Sequence, residues 1–320
     1  MKTLKLTCMA VLVLGAGMCF AQTYPVKPVR LVVPFPPGGA VDILARLMQP
    51  KMSDALGQPL IVDNRPGAAG NIGAEAVAKS APDGYTVLVN TNGQAIAPAM
   101  YRKLAYDPVK DLVPLSQLVA SHLLLIASPD LPAASLGEFI ALAKARPGAL
   151  NYGNTGVGTP LDLTMELLKL SAGIDVLAVP YRSDAQLHAA MAAGQVQVAI
   201  VPLSTTVQLI KSGKVRALAV PSAKRAAILP DVQAIAEILP GFESAAWQGM
   251  FLPAKTPRDV ADVLHRAVGR SLAAPDIRER LLSLNYEIVA STPEQFKAVF
   301  DADVAKFARI VKEARIPVQE

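Results

Sequence analysis

The stretch LVVPFPPGGAVDILAR, residues 31–46, decides the fold of this chain of 320 residues. Its apolar run 31–35 predicts a β-strand, the prolines and glycines at 36–39 predict a tight turn, and the apolar spacing from residue 41 predicts a helix. A glycine turn between a strand and a helix leaves main-chain N–H groups at the positive end of the helix dipole. The stretch therefore predicts an α/β protein with an anion-binding loop.

The composition indicates a folded, exported protein. With 52% hydrophobic and 18% charged residues, the chain can bury one large core or two domain-sized ones. Residues 1–21 have a basic start, a short apolar run and a small residue at Ala21, which is typical of a secretory signal peptide. The apolar run is too short to span a membrane. We expect the signal peptide to be cleaved after Ala21.

Removal of this signal peptide would exclude several kinds of function. Both cysteines, Cys8 and Cys19, lie within it, so the exported chain would have no disulfide, thiolate metal site or cysteine nucleophile. Loss of Lys2 and Lys5 lowers the net charge from +5 by two, to +3. Such a small excess, with 5% aromatic residues and no basic run, does not predict a nucleic-acid surface.

Short β-rich runs alternate with amphipathic stretches along the chain, as in an α/β protein with a mostly parallel sheet. Strands are expected at 30–35, 60–64, 86–90, 123–128, 150–153, 176–181, 196–201, 215–220 and 249–253. Helices are expected at 41–56, 71–81, 135–145, 160–172, 184–193 and 204–212, with a largely helical C-terminal part.

Nine strands are many for one sheet in a chain of this length, so the sequence favours two α/β domains. The segments near 113–125 and 243–252 have strand-like patterns without a helix between them, and we expect the chain to cross between the domains there. The predicted division places residues 22–122 and 245–320 in domain 1 and residues 123–244 in domain 2. A ligand cleft is expected between the two domains.

The loops at the carboxyl ends of the predicted strands are where an open parallel sheet binds ligands. Four of the six loops contain glycine, but none has the glycine order of a dinucleotide fingerprint or the Lys and Ser/Thr of a Walker loop. Export also separates the protein from the main nucleotide pools. Nucleotide binding is therefore not expected.

The sequence has few candidates for catalysis. It has three histidines (His122, His188 and His265), no Gly-x-Ser-x-Gly elbow and no His-Glu-x-x-His motif. Three aspartates begin predicted helices, where a carboxylate caps N–H groups: Asp42, Asp162 and Asp184. We expect no catalytic residue, no metal and no cofactor, although a secreted hydrolase that uses the same cleft stays an alternative.

A small carboxylate fits two facing glycine turns without catalytic side chains. Its oxygens could accept from N–H groups of the Gly38–Gly39 turn and of the Thr155–Thr159 turn together. An ammonium group would need an acidic partner, but the strand at 196–201 ends at Val201 and Pro202. The sequence therefore favours an acid without an amino group, with Asp162 as the alternative ammonium partner.

The quoted stretch and several others carry a family resemblance. YPVKPVRLVVPFPPGGAVDILARLM, GQPLIVDNRPGAAGNIGAEAVAKSAPDGYTVLV, LAYDPVKDL, VPYRS, GKVRALAV and STPEQF resemble segments of the tripartite tricarboxylate transporter receptors, also called Bug proteins, in the same order. The resemblance implies a periplasmic binding protein fold of the type II-like kind, whose two α/β domains close on a small carboxylate. It implies a monomer that serves a membrane permease. A ligand sensor would have the same sequence features.

The resemblance and the residue pattern together place ligand-binding residues in four loops and at the end of one strand. These residues are Phe35, Pro37, Gly38, Gly39, Ala40, Val41, Thr91, Asn92, Gly93, Gln94, Asn154, Thr155, Gly156, Gly158, Thr159, Asp162, Tyr181, Arg182, Ser183 and Val201. The chain departs from the family pattern where Ala40 and Val41 replace Gly-Thr, where Asp162 replaces a frequent His, and where Val201 replaces a frequent acid.

Overall fold

The structure is a computed structural model that describes residues 24–226, 229–244, 246–313 and 316–319. The predicted signal peptide and its cleavage site lie outside these residues. The described chain is an α/β protein with two separate sheets, one of six strands and one of five.

The strands are numbered β1 to β11 in chain order. They are Val29–Val33 (β1), Leu60–Asn64 (β2), Thr86–Thr91 (β3), Leu112–Ser121 (β4), Leu123–Ala127 (β5), Asn151–Asn154 (β6), Leu177–Pro180 (β7), Val198–Pro202 (β8), Arg216–Ala219 (β9), Ala246–Pro253 (β10) and Tyr286–Ile288 (β11).

The α-helices of the described residues are numbered α1 to α10. They are Ala40–Leu56 (α1), Asn71–Ala78 (α2), Gly93–Met100 (α3), Leu136–Ala145 (α4), Pro160–Ala172 (α5), Asp184–Ala192 (α6), Leu203–Lys211 (α7), Arg258–Ala273 (α8), Pro275–Ser283 (α9) and Pro293–Glu313 (α10).

The large sheet has the strand order β11-β4-β10-β3-β1-β2. Strands β2, β1 and β3 are parallel, whereas β10 runs antiparallel to both β3 and β4. The small sheet has the order β7-β6-β8-β5-β9, with β7, β6 and β8 parallel and β5 antiparallel to β8 and β9. Each sheet thus places three parallel strands beside one antiparallel strand.

Buried apolar residues cover both faces of each sheet. On the large sheet, one cluster joins β1 to α1 and α8, and another joins β3 and β10 to α10. The apolar stripe of α10 contains Phe296, Phe300, Phe307 and Val311, all buried, and Val304, which is partly buried. Parallel strands that are covered on both faces consist of continuous apolar residues. Their positions can therefore be predicted from apolar runs in the sequence.

The chain passes between the sheets twice. Strand β4 of the large sheet leads through His122 directly into β5 of the small sheet, and β9 of the small sheet leads through residues 220–245 into β10 of the large sheet. The large sheet therefore contains strands from both ends of the chain, and the small sheet contains strands from the middle.

All nine expected strands and all six expected helices are present: 60–64 and 160–172 have the expected bounds, and the ends of the others are shifted by one to three residues. Strand β4 lies in the segment near 113–125 that has a strand-like pattern, whereas β11 and α3 are additional. The sequence places Gly93 and Gln94 in a predicted loop, but the structure has a helix from Gly93 onward. Gly93 and Pro98 obscure the helical pattern, and α3 is stabilised by the buried side chains of Ile96 and Met100 rather than by local propensity.

Candidate functional site

A cavity lies between the two sheets and encloses about 920 Å³ of empty space, part of it open to solvent. Its wall on the large-sheet side comes from the loop before α1, the end of β3 and the start of β10. Its wall on the small-sheet side comes from the loops before α5 and α6 and the end of β8. These are the carboxyl ends of the parallel strands in both sheets, where the sequence predicts the cleft.

Several helices begin at this cavity. The first turns of α1, α5 and α6 contribute Ala40, Leu161 and Ala185 to its wall, and the residues that precede α3 and α7 contribute Asn92 and Pro202. The first-turn N–H groups of a helix have no acceptor within the helix, and they carry the positive end of its dipole. The cavity is therefore suited to an anion.

The turn before α1 is held by the carboxylate of Asp42. Asp42 is only 2% exposed, and its Oδ2 accepts from the main-chain N–H of Gly38 at 2.9 Å. Its Oδ1 accepts from Asn64 Nδ2 at 2.8 Å, and both oxygens accept from Arg46 Nε. Gly38 has φ +83°, in the left-handed region that favours glycine. The carboxylate thus fixes the path by which the chain enters the helix.

The turn before α5 repeats this arrangement on the opposite side of the cavity. Asp162 Oδ2 accepts from the N–H of Gly158 at 2.9 Å, Oδ1 accepts from Asn154 Nδ2 at 2.8 Å, and Gly158 has φ +77°. In both cases the aspartate is the third helical residue and the glycine is four positions before it. We call these two segments, 38–42 and 158–162, the Gly–Asp turns.

The Gly–Asp turns correct one sequence expectation. The N–H groups of Gly38 and Gly158 donate to the aspartates, so they are engaged within the protein. At α1 the N–H groups in the cavity wall that follow are those of Gly39, Ala40 and Val41. At α5 only Leu161 contributes one, because Thr159 N donates to the Gly156 carbonyl and Pro160 has no N–H. Helix α1 has no side-chain cap, and its Ala40 and Val41 both line the cavity. Of the Gly38–Gly39 turn that the sequence predicts for an anion, the N–H of Gly38 is therefore engaged within the protein, whereas Gly39 lies in the cavity wall.

The two aspartates have opposite pKa shifts. Burial raises the pKa of Asp42, but hydrogen bonds from Arg46, Gly38 and Asn64 outweigh it and hold this pKa below the ordinary value of 3.8. For Asp162, burial dominates and raises the pKa, although Gly158, Tyr152 and Asn154 donate to it. The negative charge of Glu166 raises the pKa of Asp162 further, and among the described residues Asp162 has no arginine partner comparable with Arg46 to offset its burial.

Polar side chains form the back of the cavity on the large-sheet side. Gln248 is 3% exposed, and its Nε2 donates to the hydroxyl of Tyr286 at 3.2 Å. The Tyr286 hydroxyl donates in turn to the carbonyl oxygen of Ala40, at 3.2 Å. Trp247 beside them is fixed by a hydrogen bond from its Nε1 to Asp303. These contacts connect β10 and β11 to the start of α1.

Asp184 is a wall residue that sequence reasoning assigned only to helix capping. It begins α6, and its Oδ2 lies 3.7 Å from the point that a Cβ of Gly39 would occupy across the cavity. Burial raises the pKa of Asp184, and a hydrogen bond from Thr155 offsets this only in part. It is the one acidic side chain that the described residues contribute to the wall, and Arg182 is the one basic side chain.

Twelve of the residues that the sequence predicts for the site line the cavity. They are Phe35, Pro37, Gly38, Gly39, Ala40, Val41, Thr91, Asn92, Thr155, Thr159, Arg182 and Ser183. Sequence reasoning missed several others, among them Pro36, Ser121, Leu123, Pro160, Leu161, Asp184, Ala185, Pro202, Ala246, Trp247 and Gln248. Ser121, Trp247 and Gln248 lie on strands whose place beside the cavity depends on sheet order, which no local pattern shows.

Eight predicted site residues do not line the cavity, and each has a structural reason. Gly93 and Gln94 belong to α3, where Gln94 bonds Asn90 and the Pro108 carbonyl. The others support the second Gly–Asp turn or the small-sheet core: Asn154, Gly156, Gly158, Asp162, Tyr181 and Val201.

Val201 and Asp162 matter most among these corrections, because the sequence argument about an amino group depended on them. Val201 is 1% exposed in the core around Leu124 and Leu187, since alternation along β8 turns it away from the cavity. The Asp162 carboxylate accepts from Gly158, Asn154 and Tyr152, so it is occupied within its own turn.

The described residues contain no cluster of three or more His, Cys, Asp or Glu side chains that could hold a metal ion. They also contain no helix with the length and apolar character of a membrane span.

We expect Asp42→Asn to destabilise the protein by about 1.5–3 kcal/mol at pH 7, because it removes charge-assisted hydrogen bonds from a buried site. The pKa of Asp42 is lower in the folded than in the unfolded protein. Its contribution to the free energy of unfolding is therefore complete at pH values above the ordinary pKa of 3.8 and is lost as the pH falls through the folded pKa. Urea unfolding of the wild type and of Asp42→Asn at pH 7 and pH 3 measures this contribution. The difference in free energy of unfolding between the two proteins should be smaller at pH 3 than at pH 7.

The matched control is Asp259→Asn, an exposed first-turn acid of α8, which should change the free energy of unfolding by less than about 0.5 kcal/mol. Equal stability of Asp42→Asn and the wild type at pH 7 would show that the turn does not depend on this carboxylate.

The sequence and the fold were compared with known proteins. The model of the tripartite tricarboxylate transporter family receptor matches residues 44–316. The structure of the periplasmic binding protein BugD is 33% identical, with a TM-score of 0.87 over 92% of this chain and 100% of that one.

Two other similar structures contain carboxylates. Rpa4515 of R. palustris with adipate is 34% identical, with a TM-score of 0.86 over 91% of this chain and 98% of that one. MatC of Rhodopseudomonas palustris with bound malate is 33% identical, with a TM-score of 0.85 over 90% of this chain and 100% of that one. The fold is therefore that of the periplasmic binding proteins, and the chain belongs to the tripartite tricarboxylate transporter receptor family.

Proposed function

We propose that this protein captures a small carboxylate in the periplasm and delivers it to the membrane permease of a tripartite tricarboxylate-type transporter. The observation that carries this proposal is the meeting of the α1, α5 and α6 N-termini at one cavity, with a Gly–Asp turn on each side. Main-chain N–H groups at helix starts bind carboxylate oxygens without a lysine or arginine. The adipate and malate in two similar structures support the same ligand class.

Closure of the cavity is the expected binding motion. We propose two domains, residues 22–122 with 245–320 and residues 123–244, each built around one sheet. The short passage from β4 to β5 leaves few residues between the sheets, which favours rotation about this point. The exported protein would begin at Gln22 and act as a monomer.

We propose that the cavity binds its ligand without chemical conversion. Of the described wall residues, Ser121, Ser183 and the threonines have hydroxyls, but none has a histidine bonded to it, as a serine nucleophile requires. A sensor that passes the bound state to a signalling partner would use the same cavity.

We further propose that the ligand lacks an amino group. The helix N-termini around the cavity give it a positive potential, which opposes an ammonium group. Asp184 is the one wall acid, and burial raises its pKa, which weakens it as the partner of a cation. An ammonium group also has three N–H donors to satisfy, which needs more acceptors than one carboxylate.

Calorimetric titration tests the ligand class with pairs that differ only in the amino group. Adipate and butyrate should be compared with 2-aminoadipate and 2-aminobutyrate. We expect at least one of the two acids to bind and its amino analogue to bind at least tenfold more weakly, because the cation would be desolvated in a positive cavity. Tight binding of an amino analogue alone would contradict the proposal, as would turnover of any of these compounds.

Gly39 is expected to be a glycine because the ligand approaches its main chain. Its φ of −77° is open to any residue, and a Cβ there would meet Pro36 O at 3.5 Å and Asp184 Oδ2 at 3.7 Å, which are ordinary contacts. Gly39→Ala should therefore change affinity less than about threefold. Gly39→Val adds methyl groups that reach into the cavity and should weaken binding of the acid found above by about 10- to 100-fold.

The melting temperatures of Gly39→Ala and Gly39→Val should lie within about 2 °C of the wild-type value. The main-chain conformation at position 39 is one that alanine and valine adopt without strain. An unchanged dissociation constant for a folded Gly39→Val protein would exclude this loop from the ligand site.

A further inference from the structure

The carboxylate of Asp184 stands across the cavity from the turn before α1. Its Oδ2 lies 3.7 Å from the point that a Cβ of Gly39 would occupy. Since a Cβ is about 2.5 Å from the nitrogen of its own residue, Asp184 Oδ2 is no more than about 6 Å from the Gly39 nitrogen. Gly39 belongs to the large-sheet wall and Asp184 to the small-sheet wall. Asp184 therefore faces the main chain to which the proposed function assigns the carboxylate of the ligand.

The negative charge of Asp184 has no cation fixed beside it. Among the described residues it forms no ion pair, whereas Asp42, behind the opposite turn, is paired with Arg46 at 2.9 Å. Arg182, the one basic side chain of the described wall, is exposed. His188, one turn further along α6, is neutral at pH 7 because burial lowers its pKa. A second negative charge that enters this part of the cavity would therefore repel Asp184 without compensation from a paired base.

The other groups around Asp184 are uncharged at pH 7. Tyr286 on β11 keeps its proton, because burial and the charge of Asp184 raise the pKa of its hydroxyl. Thr155 donates a hydrogen bond to Asp184, and Trp247 and Gln248 of β10 are neutral wall residues. Burial raises the pKa of Asp184 itself, and the bond from Thr155 offsets this only in part. The surroundings of Asp184 thus already disfavour its ionised form before a ligand binds.

We propose that Asp184 and the carboxylate of the ligand share one proton, so that the protein takes up a proton from solvent when it binds its ligand. This inference rests on the proposed function, because the ligand carboxylate must lie at the first turn of α1. Two carboxylates in one site repel each other, and the pair holds a proton at a pH where a free acid is ionised. The pair then carries a single negative charge, which the helix N-termini around the cavity stabilise.

The shared proton connects binding with closure of the cavity. Because Asp184 and Gly39 lie on opposite walls, opening would separate the two carboxyl groups and return the proton to solvent. The pKa of the pair in the complex is higher than the pKa of Asp184 in the free protein. Binding is therefore tightest at low pH and weakens as the pH rises between these two pKa values.

Calorimetric titration with adipate, malate and butyrate from pH 6.5 to pH 8 measures this proton uptake. The free acids are ionised in this range. Titrations at pH 6.5 in PIPES and in bis-Tris propane, which differ in ionisation enthalpy, count the protons, and EDTA is present throughout. For an acid that binds, we expect uptake of about 0.5–1 proton per ligand at pH 6.5. Its dissociation constant should then rise about three- to tenfold per pH unit.

Asp184→Asn removes the charge and the titratable group while keeping the size of the side chain. We expect this variant to take up no proton and to bind with a dissociation constant that does not depend on pH. At pH 8 it should bind the acid at least about fivefold more tightly than the wild type, because the repulsion is gone. Asp259→Asn, at the exposed first-turn acid of α8, is the matched control and should keep the wild-type pH dependence. If Asp184→Asn does not fold, Asp184→Ser replaces it, since serine also removes the charge.

Four results would overturn the inference. A wild-type affinity that is constant from pH 6.5 to pH 8, without proton uptake, would show that the acids bind beside an ionised Asp184. Proton uptake that persists in Asp184→Asn would assign the proton to another group. Weaker binding by Asp184→Asn than by the wild type at pH 8 would show that the ionised carboxylate attracts the ligand. Binding that EDTA abolishes would show that a metal ion, rather than a proton, joins the two carboxylates. Failure of all three acids to bind at every pH would instead contradict the proposed carboxylate function itself.

Discussion

The hydrogen bond from a glycine N–H to an aspartate four residues later is the interaction on which this site depends. It occurs on both sides of the cavity, from Gly38 to Asp42 and from Gly158 to Asp162, at 2.9 Å in each case. Each bond uses a left-handed glycine to turn the chain and a buried carboxylate to hold the turn. Because the carboxylates engage the glycine N–H groups, the N–H groups left in the cavity wall are those of Gly39, Ala40 and Val41 before and within α1, and that of Leu161 in α5.

In this arrangement, the charges that stabilise the turns are different from the groups that give the cavity its positive potential. The negative charges of Asp42 and Asp162 are compensated within their own turns, by Arg46 and Asn64 in one case and by Asn154 and Tyr152 in the other. The helix termini keep their positive potential toward the cavity. A receptor built in this way can attract an anion from solution and release it again, because Arg182, the one basic side chain that the described residues contribute to the wall, is exposed rather than buried against the anion.

Much of the fold could be predicted because its parallel strands are covered on both faces and therefore read as apolar runs. The strands β4 and β11 were not predictable in this way: β4 mixes buried and half-exposed residues, and β11 has three residues. In the site, loops could be predicted from strand–turn–helix patterns. The spacing Gly-x-x-x-Asp, in GGAVD and GTPLD, was the available signal for the repeated turn.

Side-chain direction was the part that the sequence could not supply. Val201 and Pro202 are neighbours in the chain, yet only Pro202 lines the cavity, since successive strand residues point to opposite faces. Gln248 lies on β10 of the large sheet and Asp184 begins α6 beside the small sheet, 64 positions earlier in the chain, so their common place at the cavity depends on tertiary structure. These polar wall residues thus became visible only in the folded chain.

The most direct test of the account is to observe the main-chain amides while a carboxylate binds. Heteronuclear NMR of the labelled protein, with malate or adipate added, reports each N–H group separately. The account predicts the largest shifts at Gly39, Ala40, Val41 and Leu161, with small changes at the Gly38 and Gly158 amides, which stay bonded to their aspartates. Large shifts at the Gly38 and Gly158 amides, or shifts confined to residues away from these helix starts, would contradict it.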